Sequence, residues 1–287
     1  MELAKAEKQF FNKKKYINCR GELINIASPS VMGIINITPD SFYRHSRYNS
    51  SNDVIKRVES ILEEGGLMVD IGAFSTRPGA KNITPEEETD RVLPILKLLR
   101  KTFPELIISV DTFRSDIARK VVEEGADIIN DISGGEMDQN MFNVIGELKV
   151  PYVLTHIQGT PQTMQQTPYY DDVVADVSLW FAKKIDQLRI KGVSDIIIDP
   201  GFGFGKSIEH NYELLHNLDQ LALFDLPILV GLSRKSMIYK VLGGSAETSL
   251  NGTTVLNTLA LTKGASVLRV HDVKEASECI KLVSHSA

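Results

Sequence analysis

The sequence has little cysteine: two residues in 287, Cys19 and Cys279, near opposite ends. They do not have the spacing of zinc ligands and are too few for a disulfide framework, so a reducing compartment, the cytoplasm, is the simpler expectation. No apolar run approaches the roughly 20 residues of a membrane span. The stretch Met1–Arg20 mixes Lys5, Lys8 and Lys13 to Lys15 with Glu2 and Glu7. It lacks the apolar core of a signal peptide and is expected to be a solvated arm. Positive charge is not in excess either. Lys plus Arg number 32 against 37 Asp plus Glu, a formal charge of −5. That balance argues against nucleic acid or an anionic membrane surface as a partner. Two nucleotide-binding patterns also fail. The segment Asp199-Pro-Gly-Phe-Gly-Phe-Gly-Lys-Ser207 ends like a Walker A loop, but Pro200 stands where the leading glycine is required. Lys206 in turn occupies the third glycine position of the dinucleotide fingerprint.

What the sequence does contain is a repeated strand-then-helix unit. Short, β-rich apolar runs recur at 31–37, 67–71, 106–110, 127–130, 152–155, 195–198, 227–231 and 265–270. Each is nearly continuous, as expected of parallel strands covered on both faces. Helical periodicity lies between them, over 52–64, 85–102, 115–124, 172–191, 209–223, 253–262 and 273–283, with Gly65, Gly125, Gly192 and Gly264 at helix stops. Eight such units spaced by roughly 30 residues predict a single-domain (β/α)8 TIM barrel over 24–287, preceded by an arm over 1–23. A doubly wound open sheet is the structural alternative.

Polar residues cluster where these strands end: Asn36, Asp70, Asp111, Asn130-Asp131, His156, Asp199, Ser233-Arg234-Lys235 and Arg269-Val270-His271. A single strand-end carboxylate is usually a cap or turn-former. Eight of them on a barrel open onto one face, where active sites lie. Asp111, Asn130 and Asp199 supply mainly acceptors, suited to a flat heterocycle with amino and ring N–H groups. Asn36, Lys235, Arg269 and His271 supply mainly donors, suited to phosphate. Ser75-Thr76-Arg77-Pro78-Gly79 offers hydroxyls and a guanidinium that suit an anion or a closing loop; alone it reads equally as a surface turn. The 199–207 segment reads as a flexible turn that stands Phe202 and Phe204 beside a ligand, or as a plain turn with packed aromatics.

Taken in order, several segments resemble the dihydropteroate synthase family. They are Met32-Gly-Ile-Ile-Asn-Ile-Thr-Pro-Asp-Ser-Phe42, Ser75 to Gly79, Ser109-Val-Asp-Thr112, Ile129-Asn-Asp131 and His156-Ile-Gln-Gly159. The 199–206 loop, Gly231-Leu-Ser-Arg-Lys-Ser236 and Arg269-Val-His-Asp272 complete the set. Single motifs are weak; the ordered series from about residue 24 onward is specific. The resemblance implies condensation of a dihydropterin methyl diphosphate with p-aminobenzoate by a dissociative route, in folate synthesis. It assigns the pterin to Asp111, Asn130 and Asp199, with Lys235 at its carbonyl edge and Arg269 stacked on the ring. It puts Arg269, His271 and Asn36 at the diphosphate, with Asn36 also near Mg²⁺. Thr76, Arg77 and Pro78 would form a closing loop. Phe202, Phe204, Lys235 and Ser236 would border the p-aminobenzoate site, which sulfonamides occupy in the family. Asp111 would stabilise the pterin cation, and Asp111, Lys235, Arg269 and His271 would form the catalytic set. A homodimer is also implied.

Two departures stand out: a bulky Tyr43–Tyr48 stretch where the family often has a small, Gly-containing one, and Ile157 in place of the usual Met. A pterin-binding methyltransferase on the same barrel is the nearest rival, and it needs a methyl carrier. A catalytically inactive pterin-binding scaffold is the second, and it predicts losses at the strand ends.

Overall fold

The computed structural model describes residues 16–37, 51–73, 83–160, 163–164 and 168–286. The described residues begin with a hairpin, β1 (Tyr16–Cys19) and β2 (Glu22–Asn25), paired antiparallel with Cys19 opposite Glu22. Arg20 and Gly21 between them both have positive φ, 51° and 88°. That is the two-residue turn whose twist matches the flanking strands. The expected arm therefore ends within a strand, and residues 16–20 are not simply solvated. Ile17 and Cys19 are buried, while Arg20 Nε donates to Asp127 Oδ1 at 2.6 Å. Residues 1–15 lie outside the described residues.

Eight parallel strands follow: β3 (Ser30–Asn36), β4 (Met68–Gly72), β5 (Ile107–Asp111), β6 (Ile128–Asp131), β7 (Tyr152–Thr155), β8 (Ile196–Asp199), β9 (Leu229–Val230) and β10 (Val267–Val270). Neighbours in sequence are neighbours in space, β3 pairs β10, and β10 pairs β9. A parallel bridge from Ile198 to Ile228 joins β8 to β9 and closes the ring. The sheet is a barrel, and the open-sheet alternative is excluded.

The outer layer is α1 (Ser51–Glu63), α2 (Pro85–Thr102), α3 (Ser115–Glu123), α4 (Met141–Leu148), α5 (Val173–Ile190), α6 (Ile208–His216), α7 (Ser236–Leu242), α8 (Leu250–Thr262) and α9 (Val273–Ser286). Local chemistry sets their starts. Thr84 Oγ1 accepts from Glu87 N with Pro85 in the first turn, and Asp172 Oδ1 accepts from Val174 N and Ala175 N. Two helices, α4 and α7, carry no long periodic signal; they have 8 and 7 residues. In α4, Gly146 is needed for close packing, since a Cβ there would lie 2.3 Å from the Lys191 carbonyl oxygen. The periodicity over 209–223 resolves into α6 and a 3₁₀ segment, Leu218–Phe224, broken at Asn217.

Strand alternation divides the core in two. Outward-facing residues such as Ile108, Ile129, Leu154 and Ile198 pack against the helices. Inward-facing Met32, Met68, Ile107, Ile128, Val153, Ile197, Leu229 and Val267 form the barrel floor, sealed from below by Ile17, Cys19 and Ile26. Each side chain so enclosed contributes about 1.5–3 kcal/mol.

Candidate active site

The site begins two residues beyond the floor. Because side chains alternate, the next inward positions are Ile34, Asp70, Ser109, Asn130, Thr155, Asp199, Gly231 and Arg269. An apolar floor thus carries a largely polar layer on the same strands, facing the C-terminal mouth.

Arg269 is the hub. Its Nε donates to Asp70 Oδ2 at 2.7 Å, and its Nη2 reaches Asp111 Oδ2 at 3.3 Å. Asp70 is fully enclosed and also accepts from Ser109 Oγ (2.6 Å) and Asn130 Nδ2 (3.0 Å). The guanidinium plane is therefore fixed, and Asn130 is oriented, before any ligand arrives. Gly72 makes room for this arrangement: a Cβ there would stand 3.2 Å from that of Asp111. Burial and the Asp70 carboxylate, against the pull of Arg269, push Asp111 up to about 7.

Asp199 ends β8, buried, with Gly201 N donating to its Oδ1 at 2.8 Å. Burial raises its pKa; Lys235, the Gly201 N–H, Arg269 and Lys206 oppose that rise. Lys235 precedes α7 and points back to the mouth. Its Nζ donates to the Phe202 carbonyl, stands 4.7 Å from the centre of the Phe204 ring, and would lie 3.7 Å from a Cβ at Gly231. Burial lowers its pKa to about 8, with Asp199 holding it up and Arg269 pushing it down. Ser236, half-buried, opens α7 beside it.

His271 follows β10. Ser233 Oγ accepts from His271 N (3.2 Å) and also lies within hydrogen-bonding distance, 3.0 Å, of His271 Nδ1, which fixes the ring's orientation. Burial, followed by the charges of Arg269, Arg234, Arg57 and Lys235, lowers its pKa to about 3. Its surroundings thus favour a neutral ring over a cation. Asn36 ends β3, opposite Gly72, whose other register partner is Asp111.

Several residues singled out in the sequence do other work. Arg234, one of the strand-end polar residues, turns away from the mouth. It clamps Asp272 through two bonds (2.9 and 2.8 Å) and donates to the carbonyls of Ala246 and Glu247. Asp131, one residue past Asn130, faces outward and accepts from Ser133, Gly135 and Tyr152. The Phe202 side chain is fully enclosed in the core, so only its carbonyl serves the site, while Phe204 is half-buried beside Lys235. The expectations for Thr76, Arg77, Pro78 and the Tyr43–Tyr48 stretch fall outside the described residues.

Two residues were missed. Asp70 was visible as a strand end, but its role as the anchor of Arg269 depends on three other strands. Lys206 was visible as the residue that broke a glycine pattern. It is buried, and its Nζ donates to His156 Nδ1 (2.8 Å), Gly201 O (3.1 Å) and Phe204 O (3.2 Å). Burial lowers its pKa to about 7, against the support of Asp199. A separate cleft of 530 Å³ opens beyond β7, lined by Glu136, His156, Gln158, Tyr170, Asp176 and Trp180 among others. None of the predicted ligand residues lines it.

The family described as pterin binding enzyme matches residues 32–271. The dihydropteroate synthase of Escherichia coli K12 is 40% identical over 266 residues, covering 92% of this chain and 94% of that protein. That of Haemophilus influenzae is 39% identical over 271 residues, covering 94% and 97%. The Yersinia pestis dihydropteroate synthase in complex with a sulfonamide drug has a TM-score of 0.90 at 37% identity, covering 94% of this chain and 98% of that one. The Xanthomonas albilineans dihydropteroate synthase with 4-aminobenzoic acid has a TM-score of 0.86 at 36% identity, covering 95% and 98%.

Proposed function

The chain belongs to the pterin-binding enzyme family, among its dihydropteroate synthases, and on that premise we propose how its residues share the reaction. The reaction is the transfer of a dihydropterin methylene from diphosphate to the amino group of p-aminobenzoate, in folate synthesis. The observation that carries the residue assignment is the layer on which Asp70, Asp111, Asn130 and Arg269 are joined by hydrogen bonds and Asp199 and Lys235 are electrostatically coupled.

Asp199 accepts from the pterin N3–H and 2-amino group, and Asn130 and Asp111 complete the pocket edge. Lys235 donates to the carbonyl edge. Arg269, held in plane by Asp70 and Asp111, stacks on the ring and faces the diphosphate with His271. The methylene–oxygen bond breaks first, leaving a cation delocalised into the pterin, and the neutral aromatic amine attacks it. Asp111, in its ionised form, faces that positive charge as it develops. Its attraction therefore grows toward the transition state, which is the condition for catalysis. His271 contributes a neutral N–H to the departing diphosphate.

Magnesium suits this donor set. Among the described residues no three His, Cys, Asp or Glu side chains gather to hold an ion. An Asn36 amide oxygen beside a diphosphate is nevertheless what Mg²⁺ takes, since it keeps waters and shares substrate phosphates. When bound, the ion would neutralise charge on the leaving group.

We further propose that Thr76, Arg77 and Pro78 close over the substrates. Phe204, Lys235, Ser236 and the Phe202 carbonyl border p-aminobenzoate, where sulfonamides compete. A homodimer is supported by exposed Val241, Leu242, Val255, Leu259 and Leu282 on neighbouring helices α7, α8 and α9. Sedimentation at the mass of a single chain would remove that proposal. A cytoplasmic setting suits two free, buried thiols, and among the described residues no helix is long and apolar enough to cross a membrane. Incubation with the dihydropterin diphosphate, p-aminobenzoate and Mg²⁺ should release pyrophosphate and 7,8-dihydropteroate in equal amounts. Pterin binding without dihydropteroate would return the methyltransferase reading.

A further inference from the structure

We infer that Lys206 is a positioning residue for the amine half of the reaction, acting through the 201–204 turn on Lys235 and Phe204. This rests on the reading that Phe204 and Lys235 border p-aminobenzoate.

The turn is fixed from several sides. A Cβ at Gly201 would stand 1.9 Å from the His156 carbonyl oxygen, and one at Gly205 would stand 2.3 Å from that of Gln158. The loop therefore lies directly on the chain that leaves β7, and glycine is required for that approach. Gly203 N donates to Asn211 Oδ1 at 2.7 Å, and Tyr170 Oη donates to the Gly205 carbonyl at 2.8 Å. These bonds hold the outside of the turn. On the inside, the Gly201 and Phe204 carbonyls converge on one ammonium, that of Lys206.

Lys206 is 3% exposed, and its three hydrogen bonds match its three N–H donors. Its third acceptor, His156 Nδ1, belongs to a ring that is 4% exposed and rests edge-on against Trp180, with centroids 5.0 Å apart. When Lys206 is protonated it donates, and His156 accepts at Nδ1 with its own proton on Nε2. The result is a rigid relay from β7 through His156 and Lys206 to both ends of the 201–204 turn. Between those ends sits the Phe202 carbonyl, the acceptor for Lys235 Nζ, and at the far end sits the Phe204 ring over which that ammonium lies. Releasing Lys206 frees the turn and with it the two groups that face the amine substrate. On the pterin side, the Asp70–Asn130–Arg269–Asp111 network makes no bond to this turn, whose tie there is the Gly201 N–H donated to Asp199 Oδ1 at 2.8 Å.

Lys206→Met tests this in the full-length enzyme with Mg²⁺ and both substrates. The expected result is a KM for p-aminobenzoate raised about tenfold, with the KM for the pterin diphosphate changed less than threefold. A folded Lys206→Met enzyme that raises both KM values equally, or neither, overturns the proposal. Phe204→Ala serves as the reference for the subsite itself. If it raises the p-aminobenzoate KM while Lys206→Met does not, the positioning role fails and the subsite stands. If neither raises it, the subsite reading fails and takes the proposal with it. Should Lys206→Met not fold, His156→Leu removes one acceptor and His156→Asn restores one. The first should raise the p-aminobenzoate KM about threefold and the second should recover it; equal values for the two contradict the relay.

Discussion

The floor and the mouth of this barrel are built by the same strands, two residues apart. Met68, Ile107, Ile128, Ile197 and Val267 lie on the floor; Asp70, Ser109, Asn130, Asp199 and Arg269 lie directly above them. The floor is closed by a hairpin and needs only apolar volume. The layer above holds two carboxylates, an amide and a guanidinium out of bulk water, and every one of them has a partner. One of those partners, Asp70, has no direct role in the proposed chemistry, and its function is to hold others in place. The difference separates residues that keep the barrel folded from residues that hold poised charges at the price of desolvation.

The sharpest way to break this comparison is to change one residue in each layer. Asp199→Ala should lower pterin affinity about a thousandfold, roughly 4 kcal/mol, because charge-assisted bonds are lost and ligand N–H groups stay unpaired. Titration calorimetry with a pterin alcohol reads this directly, and the melting temperature should not fall. Ile17→Ala, beneath the floor, should do the reverse. It should cost about 3 kcal/mol of stability by denaturant unfolding while both KM values stay within twofold. Weakened catalysis at Ile17, or lost stability with intact binding at Asp199, would merge the two layers.

A smaller effect sharpens the electrostatics of the mouth. Asp111 must be ionised to meet a cation, so kcat/KM should rise as pH increases through about 7. Lys235 must stay protonated to donate and to support Asp199, so the rate should fall above about 8. Lys235→Arg removes the titrating amine and should move the alkaline limb beyond reach, at a several-fold cost in rate. An alkaline limb that stays in place belongs to another group.

The strands were legible because buried parallel strands leave continuous apolar runs, and the candidate site was legible because charges interrupt those runs at their ends. Which charge faces the mouth was less visible. Asn130 and Asp131 are adjacent, yet alternation sends one inward and the other to Tyr152. Arg234 and Lys235 are adjacent, yet Arg234, at φ 55°, clamps Asp272 while Lys235 reaches the mouth. Such choices depend on partners such as Asp70, Tyr152, Phe202 and Asp272, 21 to 60 residues away, and leave no local pattern. The hairpin over Tyr16–Asn25 was hidden for a similar reason. Its strands have four residues each, and the burial of Ile17 and Cys19 comes from the barrel floor above them. Lys206 looked like a failed motif because its three acceptors come from the fold.

A crystal structure with a bound pterin tests the central claim most directly. The account predicts one ring with Asp199 and Asn130 within hydrogen-bonding distance of its edge and Arg269 against its face. A pterin seated instead in the 530 Å³ cleft beside His156 and Trp180, with the layer of Asp70 and Arg269 untouched, would contradict it.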